Sequence, residues 1–300
     1  MTDIEQSGAS TLTGSKQTMA SWARIIESLE AIPPVYRAAY AAFTKGVQSF
    51  PTLILTPASR ELSRKISEKL LWIAGNTLTV LERDGNQITG REFNLDALRD
   101  VEVGTILLYS WITISGITQT GEFVSSTFAF NTATLRHFTT LLEQARGFPA
   151  KMPSAALHSE QAKLDYLQKI AYKFMNFAKS SIRPDAKVIT SLWQPEIRVK
   201  SFDFLGIQLF RTISTAHLLI VTDKEVILIR DDPRIKSVRG ARHGGVWRYI
   251  PRRSLVAAEI GESTGNLLTM TLLLTNNGHL DILFATEQQH ALSETQKLLP

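Results

Sequence analysis

The chain of 300 residues has no cysteine, which excludes disulfides, thiolate nucleophiles and every cysteine-ligated zinc or iron–sulfur site. It has no apolar run near the ~18 residues that a membrane-spanning helix requires. Its six histidines, His137, His158, His217, His243, His279 and His290, never stand three or four apart, so no helical metal pair of the H-E-x-x-H type exists. The glycine fingerprint of dinucleotide folds is missing too. The start, Met1 to Lys16, is polar and carries Asp3 and Glu5 where an export signal would be basic and then apolar, so a cytoplasmic protein is expected. What is present suffices for two cores: 44% hydrophobic and 20% charged residues over a length of about two domains.

Positive charge is concentrated. Between Leu228 and Arg253 lie Arg230, Arg234, Lys236, Arg239, Arg242, Arg248, Arg252 and Arg253, opposed only by Asp231 and Asp232. That stretch carries +6 of a total of +5, so the remainder sums to −1. A nucleic-acid coat would spread its cations along a face and interleave aromatics for stacking; here only Trp247 and Tyr249 lie near, and nucleic acid is disfavoured as a partner.

The sequence repeats itself. Lys69–Asp84 (KLLWIAGNTLTVLERD) matches His217–Asp232 (HLLIVTDKEVILIRDD), each reading as strand, two-residue turn, strand, with Gly75-Asn76 and Asp223-Lys224 at the turns. Phe93–Gly104 then aligns with Ile250–Gly261. A long strand follows in each, Ile106–Ser115 and Leu267–Thr275, the second alternating with Leu268, Met270, Leu272 and Leu274 on one face. Turns at Gly121 and Asn276-Asn277-Gly278 lead into Phe123–Phe130 and His279–Ala285. Closing helices are expected, one capped by Asn131-Thr132 and stopped at Gly147, the other capped by Thr286. Helices are also expected at Trp22–Glu30, at Val35–Gln48 with Pro34 in the first turn, and at Gln161–Lys179, whose Leu164, Leu167, Ile170, Ala171, Phe174, Phe177 and Ala178 form one stripe.

Antiparallel strands closed by one amphipathic helix, with the hairpin Leu218–Ile229 (LLIVTDKEVILI), resemble bacterial pleckstrin-homology-like and GRAM-like domains. The resemblance implies an α+β, mainly antiparallel fold: two bent-sheet, open-barrel domains, each closed by a C-terminal helix and preceded by extra helices. It also implies a binding scaffold with no reactive centre. On this reading residues 1–17 are a disordered tail, 18–147 the first domain, 148–159 a linker with Pro149 and Pro153, and 160–300 the second domain. In lipid-binding members the cations lie in the first hairpin loop. The nearest segment here, Gln194–Arg211, offers only Arg198, Lys200 and Arg211.

Several strands are apolar on both faces, Leu218, Ile220, Ile227 and Ile229 on one and Leu219, Val221, Val226 and Leu228 on the other. A half-exposed sheet would alternate, so the outer face must be covered; the preceding helices and a contact between domains are expected ahead of another subunit. His217 and its counterpart Lys69 are read as exposed strand starts.

Gly261-Glu-Ser-Thr-Gly265 matches the G-x-S-x-G elbow of hydrolases, but a strand pattern follows where a helix is needed, so a turn is expected. His279 and Asp281 share a strand face without a further metal ligand. Gly240–Gly245 is glycine-rich and basic, lacks the Lys-Ser/Thr of a phosphate loop, and reads first as a solvated loop and second as an anion cradle. The helix Gln161–Lys179 has four lysines beside its stripe and is expected to pack on its own sheet rather than lie on a membrane. The expected function is therefore a non-catalytic tandem binding module without cofactor or metal, engaging a protein partner or a second copy. The alternative is an anionic ligand or phospholipid headgroup at the inner membrane surface, bound by the eight cations named above, and a hydrolase comes third.

Overall fold

The computed structural model describes residues 20–44, 49–59, 65–149, 157–204, 207–233, 244–263 and 267–300, with the backbone alone at 201–204, 207–209, 262 and 263. It is α+β and mainly antiparallel. The first half runs β1 (Arg24–Ile26), α1 (Pro34–Phe43), β2 (Leu53–Thr56), β3 (Lys69–Ala74), β4 (Thr77–Asp84), β5 (Gln87–Ile106), β6 (Tyr109–Thr118) and β7 (Phe123–Asn131). A 3-10 turn, Thr132–Phe138, leads into α2 (Thr139–Ala145). The second half runs α3 (Leu157–Ala162), α4 (Tyr172–Ser181), β8 (Val188–Gln194), β9 (Ile197–Phe204), β10 (Ile207–Ser214), β11 (His217–Thr222), β12 (Glu225–Arg230), β13 (Gly245–Pro251), β14 (Leu255–Ser263), β15 (Leu267–Leu274), β16 (Gly278–Ala285) and α5 (Gln289–Lys297).

Turn chemistry sets the hairpins. Gly75 takes φ 58° between β3 and β4, and Asn276 and Asn277 take φ 58° and 54° between β15 and β16, a conformation that Asn tolerates and most side chains do not. The Asn131 side chain accepts from the Ala133 N–H and caps the turn before α2. At the other end Thr286 is the first residue of a 3-10 turn, with no side-chain cap.

The strands join the halves. One sheet is ordered β1-β2-β3-β4-β5-β13-β12-β11-β8, with β6 and β7 branching from β5. The 20-residue β5 pairs with β4 through Gln87–Asn94; bulges near Leu98 then re-aim it, so its later part pairs with β6 on one edge and β13 on the other. Strands β14-β15-β16 form a separate sheet, and β9 and β10 a two-stranded ribbon.

Strands β11 and β12 are buried on both faces. Leu218, Ile220, Ile227 and Ile229 enter a core shared with Phe174, Met175 and Ala178 of α4 and with Val101, Phe128 and Phe138 of the first half. Leu219, Val221, Val226 and Leu228 enter a second core with Met270, Leu272, Phe284 and Leu292. The expected cover is thus provided by a preceding helix and by the other half. A third core lies under α1, where Tyr36 and Tyr40 meet Leu70, Trp72 and Leu81. Burying one such side chain contributes roughly 1.5–3 kcal/mol.

Three expectations are corrected. Arg24–Ile26, expected in a helix, is a strand, because Ile25 and Ile26 pair with Ile54 and Leu53 of β2 and Ile26 enters the third core. The helix expected over Gln161–Lys179 is broken: Asp165–Gln168 is a 3-10 turn and Ala171 takes φ −156° before α4. The break lets Leu164 and Leu167 reach the same core as Phe174 while Ile170 is exposed. Lys69 and His217, read as exposed, are buried, since both lie where their strands pass beneath neighbours on either side. Among the described residues no helix is long and apolar enough to cross a membrane.

Candidate functional site

Of the eight predicted cations, Arg234, Lys236, Arg239 and Arg242 lie outside the described residues. The other four face partners within the chain. Strand β13 runs antiparallel to β5 with Gly245 opposite Thr105, Arg248 opposite Glu102 and Tyr249 opposite Val101. Across this seam Arg248 lies 3.2 Å from Asp100, whose other oxygen takes Arg99 at 2.9 Å. Arg230 meets Glu102 at 3.2 Å, and Glu102 also accepts from the Trp111 indole at 3.2 Å. Arg253 donates to the Asp96 and Leu95 carbonyls at 2.6 and 3.1 Å, and Arg252 to the Leu298 carbonyl at 3.0 Å. These arginines bind the halves to each other and to the chain's end.

Sequence reasoning did not single out the buried centre of the same seam. Arg146, at the end of α2, meets Glu225 of β12 at 2.5 Å, donates to the Ser181 carbonyl at 2.6 Å and stacks 3.8 Å from the Tyr249 ring. Both side chains of the ion pair are at least nine-tenths buried. Burial opposes the Arg146 charge, but Glu225 outweighs it and holds the guanidinium above its ordinary range; burial pushes the Tyr249 phenol up. Arg183 reinforces the centre by donating to the Arg146 and Gly147 carbonyls while gripping Asp185 at 2.8 Å. Nothing local marks Arg146 and Glu225 as partners, since 79 residues separate them.

His217 is a second buried group. Its Nδ1 lies 2.9 Å from the Thr215 carbonyl and so carries the hydrogen, its ring meets Phe284 edge to face, and Nε2 has no hydrogen-bond partner among the described residues. Burial, aided by Arg230, lowers its pKa against the pull of the Thr215 carbonyl.

One end of the large sheet differs in character. The β5–β6 turn is Leu107-Leu108, which are 70% and 66% exposed, and Leu107 has φ 53°. Such backbone is costly for a branched residue without a side-chain hydrogen bond. Gly244 returns the chain to β13 against Thr105, where any Cβ would strike the Thr105 carbonyl oxygen. Arg230, the last residue of β12, and Gly244, which leads into β13, therefore lie at the same sheet end as the leucine tip.

The hydrolase-like segment ends β14 at Ser263, and the next described residue, Leu267, opens β15, another strand. Asp281 accepts from Thr271 at 2.7 Å. Arg198, in the segment compared with the lipid-binding loop, pairs with Glu196 at 2.9 Å. Among the described residues no three His, Asp or Glu side chains gather around a point suited to a metal ion. No protein-family model matches the chain, and no curated protein matches it.

Proposed function

We propose that the chain is a non-catalytic binding scaffold built from two copies of one pleckstrin-homology-like unit, with a protein, including a second copy of itself, as partner. Its support is the seam. The order β2-β3-β4-β5 recurs as β8-β11-β12-β13, three-strand meanders and a closing helix follow both, and α1 and α4 cover corresponding faces of β3-β4 and β11-β12. The two units hold each other by a strand edge, opposed charges and a shared core. The buried Arg146–Glu225 pair serves that grip.

Static light scattering over a concentration series, combined with capture on the immobilised protein, tests this. A mass above the monomer, or saturable capture of a defined protein, is expected, and it should persist in high salt because apolar and backbone contacts are not screened. A strict monomer that captures nothing would overturn the proposal.

The exposed Leu107-Leu108 tip favours a second reading, an anionic membrane surface at the inner leaflet. Two leucines would enter the interface, and Arg234, Lys236, Arg239 and Arg242, which lie outside the described residues, would each contribute about 1 kcal/mol if they met such a surface. Co-sedimentation with phosphatidylserine vesicles should then fall steeply with salt and on Leu108→Ser. Equal binding to neutral vesicles would rule this reading out.

A further inference from the structure

We infer that this chain self-associates head to tail, the β14 edge of one copy adding to the Gln87–Arg91 edge of β5 in the next. The inference rests on the reading of the chain as two copies of one unit. Aligning Phe93 with Ile250 places Arg91 on Arg248 and Glu102 on Glu259. Inside the chain, the edge of one unit at Val101–Thr105 pairs with the edge of the other at Gly245–Tyr249. The matching edges at the two outer ends are Ala258–Glu262 and Ile88–Glu92. Among the described residues, Ala258–Glu262 pairs only with β15 and Ile88–Arg91 only with β4. An unpaired strand edge is a template for another strand. This molecule carries both halves of a junction that it already makes once.

The details of both edges agree. Copying the internal register sets Arg91 opposite Glu259, the same charges in the same places as Arg248 opposite Glu102. Glu259 is exposed and has no ion pair among the described residues, while Arg91 has only the Glu82 contact at 3.2 Å. The Glu92 carbonyl accepts from the Gln119 N–H and the Ala258 carbonyl from Gln296, so residues 92 and 258 point their polar backbone away from their own partners. By alternation Ile88, Gly90, Ile260 and Glu262 point outward as well. The rung at 92 and 258 is closed on both sides, which leaves the rungs Gly90 with Ile260 and Ile88 with Glu262. Thr89 then lies opposite Gly261 in a non-hydrogen-bonded pair, where Cα atoms approach closely. Such a junction joins different surfaces and so adds copies in an open series.

Cysteine cross-linking tests it without background, because the chain has no cysteine of its own. Thr89 is exposed and a Cβ on Gly261 meets no atom within 4 Å, so Thr89→Cys with Gly261→Cys leaves the fold intact. Mild oxidation should give a ladder of reducible multimers, and neither single variant should extend past a dimer. Glu102→Cys with Arg248→Cys, opposed across the internal junction, is the control and should close within one chain. A monomeric 89/261 variant beside a closed control would sink the head-to-tail inference and leave the two-unit scaffold standing. A control that stays open would remove the junction itself, and both readings with it. In light scattering, Arg91→Glu or Glu259→Arg should raise the association midpoint about tenfold, and mixing the two variants should restore it. Unchanged midpoints for both would also overturn the inference.

Discussion

Glu225→Gln is the sharpest probe of the seam. The substitution keeps the shape and removes the charge, so Arg146 keeps the Ser181 carbonyl at 2.6 Å and the Tyr249 and Phe148 rings at 3.8 and 4.8 Å but loses its counter-charge. With Arg146 and Glu225 side chains 9% and 2% exposed, water cannot replace the lost carboxylate. Breaking one side of a buried pair costs about 3–5 kcal/mol, a large part of the ~5–15 kcal/mol that keeps a domain folded. Urea unfolding followed by tryptophan fluorescence and circular dichroism measures the loss. Because the pair links the two halves, the two signals should also separate as the halves uncouple. Arg146→Met with Glu225→Met should recover most of the loss, since two apolar side chains of similar size carry no stranded charge. Glu294→Gln, in the exposed pair with Lys297, should leave the unfolding midpoint unchanged, because water already solvates both charges. A loss below about 1 kcal/mol for Glu225→Gln, or a double variant as unstable as the two single losses combined, would refute the assignment of Arg146 and Glu225 as the anchor of the seam.

Other outcomes follow from single contacts. His217 has a lowered pKa in the folded chain, so below its unfolded value of about 6.5 the unfolded state binds the extra proton. Its contribution is fully present above that pH and is lost as pH falls towards the folded pKa; His137 acts in the same direction. Unfolding curves of His217→Phe should lack part of this acid slope, and an unchanged slope would exclude His217 as its source. A Cβ on Gly104 would overlap the Trp111 indole, whereas one on its counterpart Gly261 meets open space. Gly104→Ala should therefore cost about 1–3 kcal/mol and Gly261→Ala almost nothing, and equal melting temperatures would contradict the packing. Leu107→Gly relieves a positive φ at an exposed site, so stability should rise by roughly 0.5–1 kcal/mol. A loss of stability would show that the leucine packs against something in the folded protein.

Features written in neighbouring residues were legible in the sequence. The hairpins at Gly75 and at Asn276-Asn277, the Asn131 cap and the doubly apolar pair β11-β12 all depend on local pattern, and the structure carries each of them. What failed was set by distant partners. Arg24–Ile26 reads as well in a helix as in a strand until β2 pairs with it. The stripe on Gln161–Lys179 is real, yet Leu164 and Phe174 reach one core from either side of a break that periodicity does not record. Lys69 lost its expected exposure because Glu82, opposite it on β4, makes its burial tolerable at 3.2 Å; burial still lowers its pKa.

The arginine stretch shows the same limit in charge. Counted along the chain it has eight cations and two acids, which points to an external anion. Counted in space, Arg230 and Arg248 face Glu102 and Asp100, placed 128 and 148 residues earlier on β5, and Arg252 and Arg253 face backbone carbonyls. The other four, Arg234, Lys236, Arg239 and Arg242, lie outside the described residues. At about 1 kcal/mol each they supply roughly 4 kcal/mol at an anionic surface, equivalent to millimolar affinity on their own. Membrane binding by this chain must therefore draw on Leu107 and Leu108 as well, and removing either contribution should abolish it. Self-association through strand edges asks nothing of these cations. Replacing all four by glutamine should leave light-scattering mass unchanged while eliminating any vesicle binding, and a mass that falls with them would tie self-association to charge and overturn this separation of roles.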